Sequence, residues 1–386
     1  MLIGQNSENI YKSKLLVDRW NISRDKEEFS DNYERQVLIE QTDEHKYLGF
    51  MLSSKGDNMA NINYMKRKSH GITRSIFAKL NSLNLKQYYF ESAIIMMNAI
   101  LRSSIYYACE TYYDLKEREI RSLERIEENF LRKLLKTGAG CPITQLYLEV
   151  GQIPGRFQII KTRLLFLKNI LNEDQTSRVY KFFDAQEKNP KKGDWVSICK
   201  LNMKEINLGL TVQEIKEIKK TKFKIILKKK ITEAAFEYLK RKQGKKGGEI
   251  EYKSLQIANY LQPCNSNLSI EEKQEIFAIR NGMVNIPANY GSEKECKCGM
   301  KENTAHIYEC KNLNNERPKL EFHDIYSEQI GKIRIIFERF KENMIKRENY
   351  LMNETRNYHV TNGPLFSEHD VKKIVMDNKY KKKIGT

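Results

Sequence analysis

From residue 57 onward the apolar positions recur every three or four residues, whereas the earlier ones form short runs cut by charged residues. Residues 13–17, 36–40 and 46–52 are such runs; their length predicts strands and a small β region at the amino end. The stripe Ile62, Met65, Ile72, Ile76 and Leu80 then predicts an amphipathic helix. Lys66, Arg67 and Lys68 fall largely outside that stripe, free to meet phosphate. A second helix is expected over 86–107, and a third carries Leu115, Leu123, Ile126, Phe130 and Leu134 before Gly138 and Gly140 end it. After a turn region with Pro142, Gly151, Pro154 and Gly155, a fourth places Phe157, Ile160, Leu164, Leu167 and Leu171 on one side.

Polar residues dominate 174–193, which reads as a domain linker. Residues 214–247 then hold thirteen Lys or Arg against four Glu, yet Val212, Ile215, Phe223, Ile226, Leu227, Ile231, Ala235, Tyr238 and Leu239 keep a helical repeat. That segment should fold against something rather than float. Lys222, Lys228, Lys229 and Lys230 are its candidate phosphate contacts, acting by counterion displacement with little base information; the alternative reading is a solvated face. A further helix over 326–347 carries Ile330, Ile333, Ile336, Phe337, Phe340 and Met344, followed by an irregular basic tail. The expected fold class is mainly α, with a small amino-terminal β-hairpin region, a helical bundle, and a helical carboxyl-terminal domain.

The 386 residues, 40% of them apolar, suffice for two or three compact domains. A net charge of +18 argues for an acidic partner such as nucleic acid or an anionic membrane face. No apolar run approaches the roughly 20 residues that span a bilayer, and the first thirty hold no signal-type segment, so an intracellular protein, nuclear or cytoplasmic, with no membrane partner is expected.

Three of the seven cysteines crowd together. Cys296, Cys298, His306 and Cys310 are spaced C-x1-C-x7-H-x3-C, a donor set suited to tetrahedral Zn²⁺. Gly299 follows the second cysteine and should relieve crowding at the turn, and His306 and Cys310 lie four apart, on one helical face. Four protein ligands leave no open position, so the expected zinc is structural. Cys109, Cys141, Cys199 and Cys264 stand apart from any base and read as buried thiols. There is no Walker-type glycine loop, no G-x-S-x-G, no H-E-x-x-H and no adjacent Asp pair; no catalytic residue is assigned.

The order of these pieces resembles the carboxyl-terminal part of reverse transcriptases of non-LTR (LINE-type) retrotransposons. Lys46-Tyr47-Leu48-Gly49-Phe50 with Ser53 and Gly56, then a basic amphipathic helix, is similar to the segment after the palm in that family. Lys12-Ser13-Lys14-Leu15-Leu16-Val17 resembles its lysine-bearing strand. The likeness continues through Tyr106-Tyr107-Ala108-Cys109-Glu110, Pro142-Ile143 and Arg280-Asn281-Gly282-Met283 to the Cys/His knuckle.

The resemblance implies that 1–56 is a palm remnant in which Tyr47, Leu48 and Gly49 form a primer-gripping hairpin. It implies a thumb against the template-primer duplex within 57–172, a basic helical linker domain over 173–270, a zinc-knuckle domain over 271–350 that engages RNA or DNA, and a basic tail over 351–386. Lys12 or Lys14 would match the strand lysine near the incoming nucleotide. Nucleotide addition needs two metal ions held by carboxylates, and in the family these lie upstream of that lysine, whereas here Lys12 follows Met1 by eleven residues. The chain alone is therefore expected to bind nucleic acid without polymerising; Mg²⁺ would matter only if the missing polymerase portion came from an upstream or separate chain. The remaining alternative is a zinc-stapled structural or protein-interaction module.

Overall fold

The computed structural model describes residues 42–55, 58–112, 115–243, 250–263, 268–284, 295–296, 298–314 and 316–362. Among the described residues the protein is mainly helical with a single two-stranded hairpin, the class expected from the sequence. The amino-terminal runs 13–17 and 36–40, with Lys12 and Lys14, lie outside the described residues, as does Cys264. No helix among the described residues is long and apolar enough to cross a membrane.

The run 46–52 is not one strand. Strands β1 (Glu44–Tyr47) and β2 (Phe50–Ser53) pair antiparallel across a two-residue turn, with Leu48 at φ +47° and Gly49 at φ +88°. Positive φ at both central residues matches the twist of paired strands. A short relay ties the hairpin to the helical part of the chain. Met51 donates its backbone N–H to Asn61 Oδ1 at 3.0 Å, Asn61 donates onward to the Tyr112 hydroxyl, and the Phe50 and Tyr112 rings sit 5.5 Å apart.

Helix α1 (Met59–Ser82) buries Ile62, Met65, Ile76, Phe77 and Leu80. The second expected helix is α2 (Tyr89–Met96), a π-helical stretch (Met97–Arg102) and α3 (Ser103–Ile105) in succession. Arg102, at the end of the widened stretch, is buried, and all five of its N–H donors are used. They reach both Glu127 carboxylate oxygens at 2.7 and 3.1 Å, Asn98 Oδ1 at 3.0 Å, Gln152 Oε1 at 3.1 Å and the Ile153 carbonyl at 2.6 Å. Full satisfaction is what makes a buried guanidinium tolerable.

Two cores divide the chain differently from the expected linear domains. The main core joins α1 to α3, α4 (Glu117–Leu134) and α5 (Ile143–Glu149) with α11 (Ile270–Arg280), α12 (Thr304–Glu309) and α13 (Ile330–Asn362). A second core is built from α6 (Gly155–Leu171), α7 (Arg178–Lys188), α8 (Trp195–Glu205), α9 (Val212–Glu217) and α10 (Lys220–Lys242). The boundary near residue 172 is thus displaced: Phe157, Ile160, Leu164, Leu167 and Leu171 belong to the second core.

The stretch read as a linker contains α7. Ser177 caps it by accepting the Tyr180 N–H at 3.2 Å, and Phe183 enters the second core. One buried aromatic with a good cap suffices for a short helix in an otherwise polar stretch. Helix α13 also runs past the expected end at Arg347, to Asn362.

The chain returns to the main core beside α5. Val150 and Ile257 form an antiparallel bridge, and Ala258 donates its N–H to the Glu149 carbonyl at 2.8 Å. A Cβ at Gly151 would lie 2.4 Å from the backbone of Gln256, so only glycine permits this approach. Buried Arg280 donates to Glu149 Oε1 at 3.0 Å and to the Ile325 carbonyl at 2.5 Å, locking α11 to α5.

Candidate nucleic-acid groove and metal centre

Helix α4 carries both signs of charge and sorts them by face. Glu119, Glu124, Glu127 and Glu128 are all buried. Glu119 accepts the Lys116 N–H at 2.8 Å, Glu124 pairs with Arg156 at 3.0 Å, and Glu127 pairs with Arg102 at 2.7 Å. Burial holds the Glu128 carboxyl above its usual range, against the pull of Arg121 at 3.6 Å. With four of its five glutamates inside, α4 presents Arg118, Arg125 and Lys133 exposed and Arg121 and Arg132 half-exposed, Arg121 within 3.1 Å of Glu124; the exposed Glu117, 2.7 Å from Arg156, lies on the same side.

That face forms one wall of a groove of about 2050 Å³ between α1, α4, α11 and α13. Helix α1 adds Lys66 and Arg74, with Ser69, His70 and Thr73 between them and Asn63 one turn before Lys66. Lys136 lies just past α4; Arg132 partly serves that loop, donating to the Gly138 and Cys141 carbonyls at 2.5 and 3.0 Å. Helices α11 and α13 supply the rest of the lining, with Glu271, Glu275 and Glu348 and the single cation Lys341. The floor is apolar: Ile126, Ile279, Met283, Val284, Phe337, Phe340, Met344 and Ile345. In all the lining holds nine Lys and Arg against four Glu, and the volume exceeds the range of about 300–1,000 Å³ usual for small-molecule pockets.

Of the residues singled out from sequence, the groove collects only Lys66. Arg67 and Lys68 are exposed on other sides of α1. Tyr47 and Leu48 are exposed at the hairpin tip with Gly49, outside the groove lining. Lys222, Lys228 and Lys229 are exposed on α10, while Lys230 is half-buried and 3.6 Å from Glu233. The lining cations that the sequence did not single out are Arg74, Arg118, Arg121, Arg125, Arg132, Lys133, Lys136 and Lys341. A signal existed, since Arg118, Arg125 and Arg132 recur at seven-residue intervals and so share a helix face.

The second site is local. Cys296, Cys298, His306 and Cys310 bring their donor atoms within 4.8 Å of one another. Cys296 Sγ is 3.6 Å from Cys310 Sγ, Cys298 Sγ is 3.3 Å from His306 Nε2, and the Cys298 and Cys310 sulfurs are 4.0 Å apart. A tetrahedral ion bound about 2.3 Å from each sulfur sets sulfur–sulfur edges near 3.7 Å, so this cluster can hold a metal ion. The turn is closed by Gly299 N–H to the Cys296 carbonyl at 2.8 Å and Cys296 N–H to the Met300 carbonyl at 2.9 Å. Gly299 serves by its φ of +80° rather than by relieving crowding, because a Cβ there would meet nothing within 4 Å.

Helix α12 presents His306, and Asn303 caps it by accepting the His306 N–H at 2.8 Å. Helix α13 buttresses this unit. Asn343 donates to the Ile307 and Tyr308 carbonyls at 2.8 and 3.1 Å, Arg339 to the Tyr308 and Glu316 carbonyls at 3.1 and 2.6 Å, and Arg347 pairs with Glu302. The same helix supplies Phe340, Met344 and Ile345 to the groove, so metal centre and groove share one strut. The other described cysteines are core thiols: burial pushes Cys109 and Cys199 up to about 12 and Cys141 up to about 11.

No family model, curated protein or solved structure matches this chain.

Proposed function

We propose that this protein binds nucleic acid through the groove between α1, α4, α11 and α13, with Zn²⁺ held by Cys296, Cys298, His306 and Cys310 as a structural ion. The observation that carries the reading is the sorting of charge on α4: four of its five glutamates are buried, while its arginines line the groove with Glu117 as the one carboxylate among them. Interior Glu pairing leaves a cationic wall where none would follow from the net charge of that helix. Such a wall neutralises phosphates and releases counterions, so affinity falls steeply as salt rises.

The donor set of three thiols and one imidazole suits Zn²⁺, and four protein ligands leave no position for a reacting water. In this reading the ion fixes α12 against α13 and thereby the α13 side of the groove. The motif order from Tyr47-Leu48-Gly49 to the knuckle favours, as the setting of this binding function, the carboxyl-terminal part of a non-LTR retrotransposon reverse transcriptase, with RNA or DNA as partner.

The test is direct binding of labelled RNA and DNA oligonucleotides to the purified chain over a salt series. A log–log slope of several units, reduced in Arg118→Glu/Arg125→Glu, is the expected result. Affinity that is absent, or flat with salt, contradicts the reading.

A further inference from the structure

The groove is electrically and chemically one-sided, and that asymmetry selects among nucleic acids. One side, from α1, α4 and Lys136 just past α4, carries eight of the nine cations and one carboxylate, Glu117. The α11 and α13 side carries Glu271, Glu275 and Glu348 with Lys341 as its one cation. Between them lies an apolar floor of which Ile345 is exposed and Met283, Val284 and Met344 are half-exposed.

A duplex flanks its grooves with two charged backbones, exposes only the polar edges of its bases there, and keeps their apolar faces stacked inside. Seated here it would place one backbone on the cationic wall and the other against Glu271, Glu275 and Glu348, and it would cover the apolar floor with charged or polar groups. A single strand has the complementary asymmetry, phosphates along one edge and unstacked bases along the other, and binding of that kind combines a basic track with apolar or aromatic surface. Carboxylates on the base side also suit the chemistry, since they accept from exocyclic amino groups such as that of cytosine.

Resting on the binding function proposed above, we infer that the groove takes single-stranded RNA or DNA in preference to duplex, with phosphates along α1 and α4 and bases against the floor formed by α11 and α13. Arg118 and Arg125 meet the backbone; Met344 and Ile345 meet the bases.

The experiment compares full-length protein binding to a single-stranded oligonucleotide and to the blunt duplex of the same length and sequence, at matched salt. The single strand is expected to bind at least tenfold tighter. Ile345→Glu, at an exposed position, is expected to reduce single-strand affinity more than duplex affinity, and Glu271→Lys/Glu275→Lys to narrow the preference by improving the duplex. Circular dichroism checks that each variant is folded. Duplex binding as tight as single-strand binding, with salt dependence intact, overturns this inference and leaves the binding function standing. Absence of salt-dependent binding to either ligand overturns both.

Discussion

At the scale of single residues, buried charges set the terms. Arg102 has every donor satisfied, by Asn98 one turn back, Glu127 of α4, and Gln152 and Ile153 in the turn after α5, so removing Arg102 strands Glu127 in the core. Arg102→Ala should cost about 3–5 kcal/mol, the range for breaking a buried pair, read as a lowered urea midpoint. An effect below about 1 kcal/mol would mean that Glu127 finds water instead. Glu128 is poised differently: burial raises its folded-state pKa above the 4.5 of a free side chain. The folded protein therefore holds that proton more tightly than the unfolded chain, and its contribution to stability falls as pH rises through the window above 4.5. Glu128→Gln should gain on the wild type between pH 4 and pH 7; a difference independent of pH contradicts the assignment. For the core thiols, raised to between about 11 and 12, alkylation at pH 8 should leave Cys109, Cys141 and Cys199 unmodified until the protein is unfolded, as peptide mapping would report.

Among the elements, α13 links the two candidate sites. Its Arg339, Asn343 and Arg347 hold the unit around Cys296, Cys298, His306 and Cys310, and its Phe340, Met344 and Ile345 shape the groove. Metal removal by a strong chelator should release about one zinc per chain, loosen α12, and weaken nucleic-acid binding without abolishing it. Unchanged affinity in the metal-free protein would assign the ion to local stapling alone. These elements differ in how far sequence exposes them. The metal cluster is legible because its ligands lie within fifteen residues of chain and their spacing carries the geometry. The groove is not, because its walls come from four helices far apart in sequence. On α4 the glutamates mask the arginines in any count of charge, and only their pairing with Arg102 and Arg156 from other helices removes them from the surface. Attention falls instead on the uncompensated lysines of α10. Polar composition likewise hid α7, whose packing rests on Phe183 as its one buried side chain.

For the whole molecule, the significant fact is that the main core is discontinuous. Helices α1 to α5 and α11 to α13 share it, while α6 to α10 build a second core and join the first only through Ile159 of α6 and Leu239 of α10 among their buried residues. Periodicity finds each of these helices but not which distant ones meet, since that depends on contacts such as Arg280 with Glu149. The groove belongs entirely to the main core. Phe223→Ala, a cavity in the second core, should therefore cost about 3–5 kcal/mol while leaving oligonucleotide affinity of the folded protein within twofold; a parallel loss of binding would show that the two cores act as one. The salt series tests the central claim most directly. The slope of log affinity against log salt for a single-stranded oligonucleotide should be several units for the wild type, and should fall by roughly 0.7 for each phosphate that Arg118→Glu/Arg125→Glu leaves without its cation. A slope the two substitutions leave unchanged would place the phosphates elsewhere and contradict the assignment of the groove.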